Sequence, residues 1–116
     1  MQFIFDAIAC GLLASLTWLG LVWISTDRPI SSGRAWVQGV GIVAITNIFT
    51  WIALVGLNLR LIPVWVISFL LMNAAIARLA FPLCEGIQIP LIWAIVIHPI
   101  LISAMGVLLG GAVGFL

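Results

Sequence analysis

His98 is the one histidine of a 116-residue chain, and Pro99 follows it directly inside the apolar stretch LIWAIVIHPILISAMG, Leu91–Gly106. A neutral imidazole in oily surroundings needs a partner for its single donor, or a metal for its lone pair. Pro99 has no N–H to give to the carbonyl of Ile95, so that oxygen is freed and the helix should bend there. The simplest expectation is a neutral His98 whose N–H satisfies a freed carbonyl or a polar side chain such as Asn73. The alternative is an axial ligand to haem or to the magnesium of a chlorophyll, with one histidine per chain allowing five-coordinate ligation.

The other polar residues are few. Asn47 and Thr50 share one side of an apolar run, and Asn73 sits near the middle of the next. Intramembrane asparagines bond across helices, for about 0.6 kcal/mol on average, so an Asn–Asn or Asn–Thr clasp is expected. A water-filled pore lined by Asn47, Thr50 and Asn73 would need several copies of the chain. Charged residues fall at the ends of the runs: Arg78 can reach Glu85, and Asp6 can reach Arg60 at the opposite face. A proton-coupled carrier would bury an acid near the membrane midplane, and the sequence has none there. Cys10 and Cys84 should lie about a membrane apart, too far for a disulfide. No Ser–His–acid set, metal cluster or phosphate loop is present, so the chain is expected not to be an enzyme and not to bind nucleic acid.

These residues sit in a chain that is 66% hydrophobic and 6% charged, with four arginines and no lysine. Soluble domains carry about 25% charge, so the chain should be an integral membrane protein, all-α and polytopic. A hydrocarbon core about 30 Å thick takes about 20 helical residues, and lipid forces backbone bonds to close within each segment. The sequence predicts one transmembrane domain over 1–116, with helices near 4–24, 35–57, 63–81 and 89–109. Asp6 and the lack of a basic leading segment speak against a cleavable signal in the first run. Pro63 and Pro90 suit the first turns of the third and fourth helices. Arg28, Arg34 and Arg78 against Arg60 favour both termini on the non-cytoplasmic side, of a bacterial inner or a thylakoid membrane.

At an offset of 57 residues the chain meets itself: Ile30 with Ile87, Trp36 with Trp93, Ile45 with Ile102, Thr46 with Ser103. This suggests two repeated hairpins, about 1–57 and 58–116, in which His98 corresponds to Gly41 and fills the space that glycine leaves. The segments TNIF, LIPVWVISFLLMNA and AFPLCEGIQI, between Thr46 and Ile89, resemble the small four-span bacterial proteins of the phage-holin-like family. There an asparagine closes the second helix, another lies in the third, and a turn opens the fourth; Asn47, Asn73 and Glu85-Gly86-Ile87 take those places here. Ile67-Ser68 stands where that family has a glycine before the third-helix phenylalanine, and the charged tail is missing. The resemblance implies membrane residence and self-association.

In lipid, small residues at spacing four let helix backbones approach. Ala7, Gly11 and Ser15 form such a row in the first helix, and Gly106, Gly110 and Gly114 in the fourth, serving either the monomer or a second protein. Of the six tryptophans, Trp23, Trp36 and Trp93 gather at the face of the longer loops and Trp65 at the other, with Trp51 a little inside it, as an anchoring belt would require. The leading expectation is a non-enzymatic membrane protein acting by helix–helix association, as homo-oligomer or in a larger complex, surrounded by membrane lipids and needing no cofactor. The alternative is an accessory subunit of a photosynthetic or respiratory complex that touches pigments or lipids.

Overall fold

The computed structural model describes residues 2–25, 33–80, 92–114 and 116. Helix α1 spans Gln2–Ser25 and α2 Gly33–Gly56. Helix α3 runs Ile62–Ala75 and widens into a π-helical segment, Ile76–Ala80. A second π-helical segment, Trp93–Ile97, leads into α4, His98–Ala112. Among the described residues, four stretches are long and apolar enough to cross a membrane: Gln2–Ile24, Gly33–Gly56, Ile62–Ala80 and Ile95–Ala112. The bundle is 39 Å in its longest dimension, enough to traverse a hydrocarbon core of about 30 Å.

Each helix buries a row of positions three or four apart, which a 3.6-residue turn stacks on one face. On α2 the row is Ala35, Gly39, Val43, Asn47, Trp51; on α3, Trp65, Phe69, Asn73. On α4 it is His98, Ile102, Gly106, Gly110. Helix α1 contributes Ala7, Cys10, Ala14, Ser15, Trp18 and Val22. The helices form a ring in which α1 meets α2 most extensively, α3 meets α4, and α1–α4 and α2–α3 complete the circuit.

Inside the ring, large rings rest on glycines. A Cβ on Gly39 would strike the Trp18 indole; on Gly106 it would come within 2.9 Å of Phe69, and on Gly110 within 2.9 Å of Trp65. Gly11 sits against α2, where a Cβ would come within 2.5 Å of Ile48 and 2.8 Å of the Ala44 carbonyl oxygen. The core therefore divides into two apolar layers. Ala14, Trp18, Val22, Ala35, Val43, Ala77 and Ile102 form one, and Ala7, Cys10, Trp51, Leu54, Trp65 and Phe69 the other. Asn47 and Asn73 fall between them, one turn from each layer on their own helices.

The α2–α3 connection is built with care. Asn58 adopts φ 55°, and the Asn58 and Leu59 N–H groups donate to Val55 and Leu54, both at 3.0 Å. That pair of bonds is a Schellman closure with asparagine at its left-handed position. The Trp65 Nε1–H then donates to the Leu59 carbonyl at 2.6 Å, fastening the turn to α3. Pro63 lies in the first turn of α3 as expected. Gly114, with φ 84°, ends α4 in the same way, its N–H reaching Gly111 at 3.2 Å.

Several expectations change here. Trp65 and Trp51 are 0% and 1% exposed and belong to the core, not to an interfacial belt; Trp18 joins them at 1%. Trp51 and Trp65 meet edge to face with centroids 4.9 Å apart. Only Trp23, 76% exposed, lies fully on the outside. Of the pairs that suggested a duplicated hairpin, Ile45 and Ile102 differ in environment, at 56% and 1% exposed, while Trp36 and Trp93 are both half-buried. Nothing lies within 4 Å of a Cβ placed on Gly41, so Gly41 leaves no packed space for which His98 could be the counterpart. Arg28, Ile30, Cys84, Glu85, Gly86, Ile87 and Pro90 lie outside the described residues, and with them the proposed Arg78–Glu85 pair.

Candidate functional site

The centre of the bundle holds the two asparagines. Asn47 Nδ2 donates to Asn73 Oδ1 and Asn73 Nδ2 donates to Asn47 Oδ1, each at 3.0 Å. Each amide also donates to a carbonyl one turn back on its own helix, Asn47 to Val43 at 2.7 Å and Asn73 to Phe69 at 2.8 Å. Both donors of both amides are thereby used, which is the condition for placing them in hydrocarbon. The two residues are 0% and 3% exposed. Within the single chain they face one another across the α2–α3 contact. Helix α1 closes the site from the side, where Cys10 Sγ lies 3.9 Å from the Asn47 carbonyl oxygen.

Hydroxyls around this pair are satisfied locally. Ser15 donates from α1 within hydrogen-bond distance of two carbonyls, Gly11 at 2.9 Å on its own helix and Val40 at 3.2 Å on α2. Thr50 donates to Thr46 at 2.8 Å, so its hydroxyl serves α2 and not the clasp. Ser103 donates to Ile100 at 2.8 Å. Such bonds hide a hydroxyl proton in a nonpolar medium.

The small-residue rows are used within the chain. Ala7, Gly11 and Ser15 are buried in the bundle, Gly11 beneath Ile48. Gly106 and Gly110 lie under Phe69 and Trp65 of α3. Gly114 is exposed and terminates α4 through its positive φ, a conformation that costs other residues about 1–2 kcal/mol. None of the six forms a flat outer seam for a neighbour.

His98 lies deeper in the packed interior, and nearer one end, than its place in the sequence suggested. Gly110 packs on Trp65 and Gly106 on Phe69. Because α3 and α4 run antiparallel, Ile102 is level with Asn73 and His98 with Ala77, about 6 Å (four residues at 1.5 Å) from the midlevel. Asn73 spends its amide on Asn47 and Phe69. The imidazole is 2% exposed and sits edge-on to Trp93, centroids 6.2 Å apart. A ligated macrocycle stands across the ring nitrogen and needs an open side to the histidine. The enclosed His98 does not offer one, so the haem or chlorophyll assignment does not fit.

Pro99 acts differently from the expected simple bend. Its ring displaces the carbonyl four residues back, and the preceding turn answers by widening. The His98 N–H donates to Trp93, five residues earlier. The π segment Trp93–Ile97 packs against the other one, Ile76–Ala80, at the same end of the bundle. π turns of this kind are rare, and two meet here beside His98.

At the opposite end a charged cleft opens between the start of α1, the α2–α3 turn and the end of α4. It encloses about 240 Å³, with Asp6 and Arg60 on its walls beside Phe3, Trp51 and Gly114. Gln2 Nε2 donates to Asp6 Oδ1 at 2.8 Å, and Arg60 Nε donates to Asn58 Oδ1 at 3.0 Å. The sequence placed Asp6 and Arg60 on one face; the volume between them was not legible in it.

Comparison of the chain with family models, with curated proteins and with solved structures returned no match.

Proposed function

We propose that this chain is a non-enzymatic integral membrane protein that acts by associating within the bilayer, chiefly with copies of itself, as its phage-holin-like layout implies. One observation carries the reading: the polar groups and close-contact glycines turn inward, while every helix presents large apolar side chains outward. Leu16 on α1, Phe49 on α2, Leu71 on α3 and Leu108 on α4 are each 62–73% exposed. Whatever the bundle meets in the membrane, it meets through this surface. Lipid tails are as apolar as leucine, so protein contacts there are selected by shape and not by hydrophobicity. An open furrow between α1 and α4, floored by Ala104 and Ala112 beside Leu13 and Leu101, gives such a surface relief.

The membrane is a bacterial inner or a thylakoid membrane, with Arg34 and Arg78 marking the cytoplasmic side and both termini opposite. Native mass spectrometry after gentle solubilisation tests the proposal. A discrete homo-oligomer is the expected result. A strict monomer overturns it, and stoichiometric recovery with a much larger complex replaces self-association by the role of an accessory subunit.

A further inference from the structure

We infer that Arg78 holds the phosphate of a membrane phospholipid drawn toward the bilayer centre, so that one leaflet is thinned beside the end of α3. The inference rests on membrane residence and does not need self-association.

Depth is the first ground. The apolar run of α3 begins at Ile62, eleven residues before Asn73, so that edge of the hydrocarbon lies about 16 Å from the asparagine pair at 1.5 Å per residue. Half of a core about 30 Å thick is about 15 Å, which puts the pair close to the midplane. On its other side Arg34 stands thirteen residues from Asn47 along α2, about 20 Å out and level with headgroups. Arg78 stands only five residues beyond Asn73, inside the π-helical segment Ile76–Ala80. Its Cα is about 7 Å from the midplane, with about 8 Å of hydrocarbon still to cross to the nearer interface.

The surroundings are the second ground. Arg78 departs from the apolar pattern of the outer surface: it is exposed there, and no hydrogen bond or ion pair joins it to another described residue. Leu71, Ala75 and Leu79, on the same face, are exposed too and carry no polar side-chain atom. A guanidinium brings a full charge and five N–H donors. A charge at this depth is matched by a partner or by polar groups drawn in from the interface. What matches Arg78 therefore comes from outside the described residues.

Direction is the third. The Cα–Cβ bond of a helical residue tilts toward the helix N-terminus, and the N-terminus of α3 lies at the opposite membrane face. The stem of Arg78 thus starts toward the midplane, over Ala74 and Ala75, and cannot spend its full length climbing to its own interface. The phosphate must come down instead, and the two alanines, with one methyl group each, leave room for it. The guanidinium fork takes two phosphate oxygens at once, and every phospholipid of that leaflet carries them. A carboxylate of a second protein has the right charge but must arrive at this one level, whereas lipid reaches Arg78 in any state of association.

The test places the full chain, with ¹³C,¹⁵N-labelled arginine and glutamate, at one copy per nanodisc in phosphate-free buffer, so that lipid supplies all the phosphorus. In solid-state dipolar measurements, the guanidinium signal that vanishes in Arg78→Gln should be dephased by ³¹P at hydrogen-bonding distance. In bilayers of increasing acyl length, the wild type should be most heat-stable in shorter lipids than Arg78→Leu. Arg78→Lys should fall between them, and Arg34→Gln should match the wild type. Circular dichroism checks that each variant is folded. An Arg78 signal remote from phosphorus, or close instead to the carboxylate carbon of Glu85, overturns the assignment. An unchanged length optimum in folded Arg78→Leu overturns the thinning. Dephasing that appears only when inorganic phosphate is added overturns the lipid as ligand. If the chain proves strictly monomeric and Arg78 still touches phosphorus, the association proposal fails and this one stands.

Discussion

The indole of Trp18 on α1 occupies the space in front of Gly39 on α2, so close that no side chain of any size fits between them. Trp18 also meets Trp36 edge to face, with centroids 6.2 Å apart. The contact brings two helix backbones together around one large ring, and it makes Gly39 a position where mass cannot be added. Gly39→Ala should destabilise the bundle by about 1–3 kcal/mol, the usual cost of overpacking. Gly41→Ala, two residues along and facing open space, should be neutral or slightly stabilising. Unfolding titrations in mixed micelles check the contrast, and equal behaviour of the two variants would contradict it.

The reciprocal amide pair predicts a measurable coupling. Asn47→Leu and Asn73→Leu each strand a partner in the interior, while the double variant removes both. A double-mutant cycle should give a coupling energy of about 0.6–1.7 kcal/mol in favour of the native pair, the range found for such bonds in lipid. A cycle that closes to zero would mean that the bonds back to Val43 and Phe69 suffice for each amide alone.

Pro99 predicts a change of helix type. Pro99→Ala restores an N–H at position 99 and removes the ring that crowds the Ile95 carbonyl. The π turn before it should then relax toward α geometry, with a new slowly exchanging amide at residue 99. Because Trp93 and His98 are in ring contact across this turn, the Trp93 indole ¹⁵N resonance should move as well. An unmoved resonance and a fast amide would place the cause of the widening elsewhere.

The left-handed Asn58 gives a sharp prediction at the α2–α3 turn. Asn58→Ala should cost about 1–2 kcal/mol, because a Cβ without a local hydrogen-bonding group is penalised in that conformation. Asn58→Gly should be tolerated, since glycine adopts it without penalty. Chemical or thermal denaturation in one detergent ranks the three proteins, and the order glycine near asparagine and both above alanine is expected.

Much of this was legible in advance for one reason: hydropathy over about 20 residues depends on composition, not on neighbours. The four spans deviate from the expected limits mainly in α4, which extends to Ala112. Asn47 and Asn73 could be nominated as partners because amides in hydrocarbon must find one. The tryptophans could not be sorted, because an indole that anchors at an interface and one that fills a glycine notch have the same local sequence. Only the register between helices distinguishes Trp23 from Trp65. The same holds for the glycines, since a row at spacing four does not say which neighbour it receives. A signal was available in hindsight: Trp65 and Phe69 repeat at four residues, as do Gly106 and Gly110, and antiparallel neighbours match such rows.

By itself the sequence determined the solvent, the helices and their number, since the charge content and apolar run lengths leave no other way to satisfy the backbone. Tertiary structure decided what each polar or small residue is for. It closed the asparagines on each other and enclosed His98. It turned the glycines toward rings of the same chain and opened a gap between Asp6 and Arg60. The physical reason is that these outcomes depend on how one helix is rotated and shifted against the next. That choice is made by contacts between residues distant in the chain, and no local window contains it.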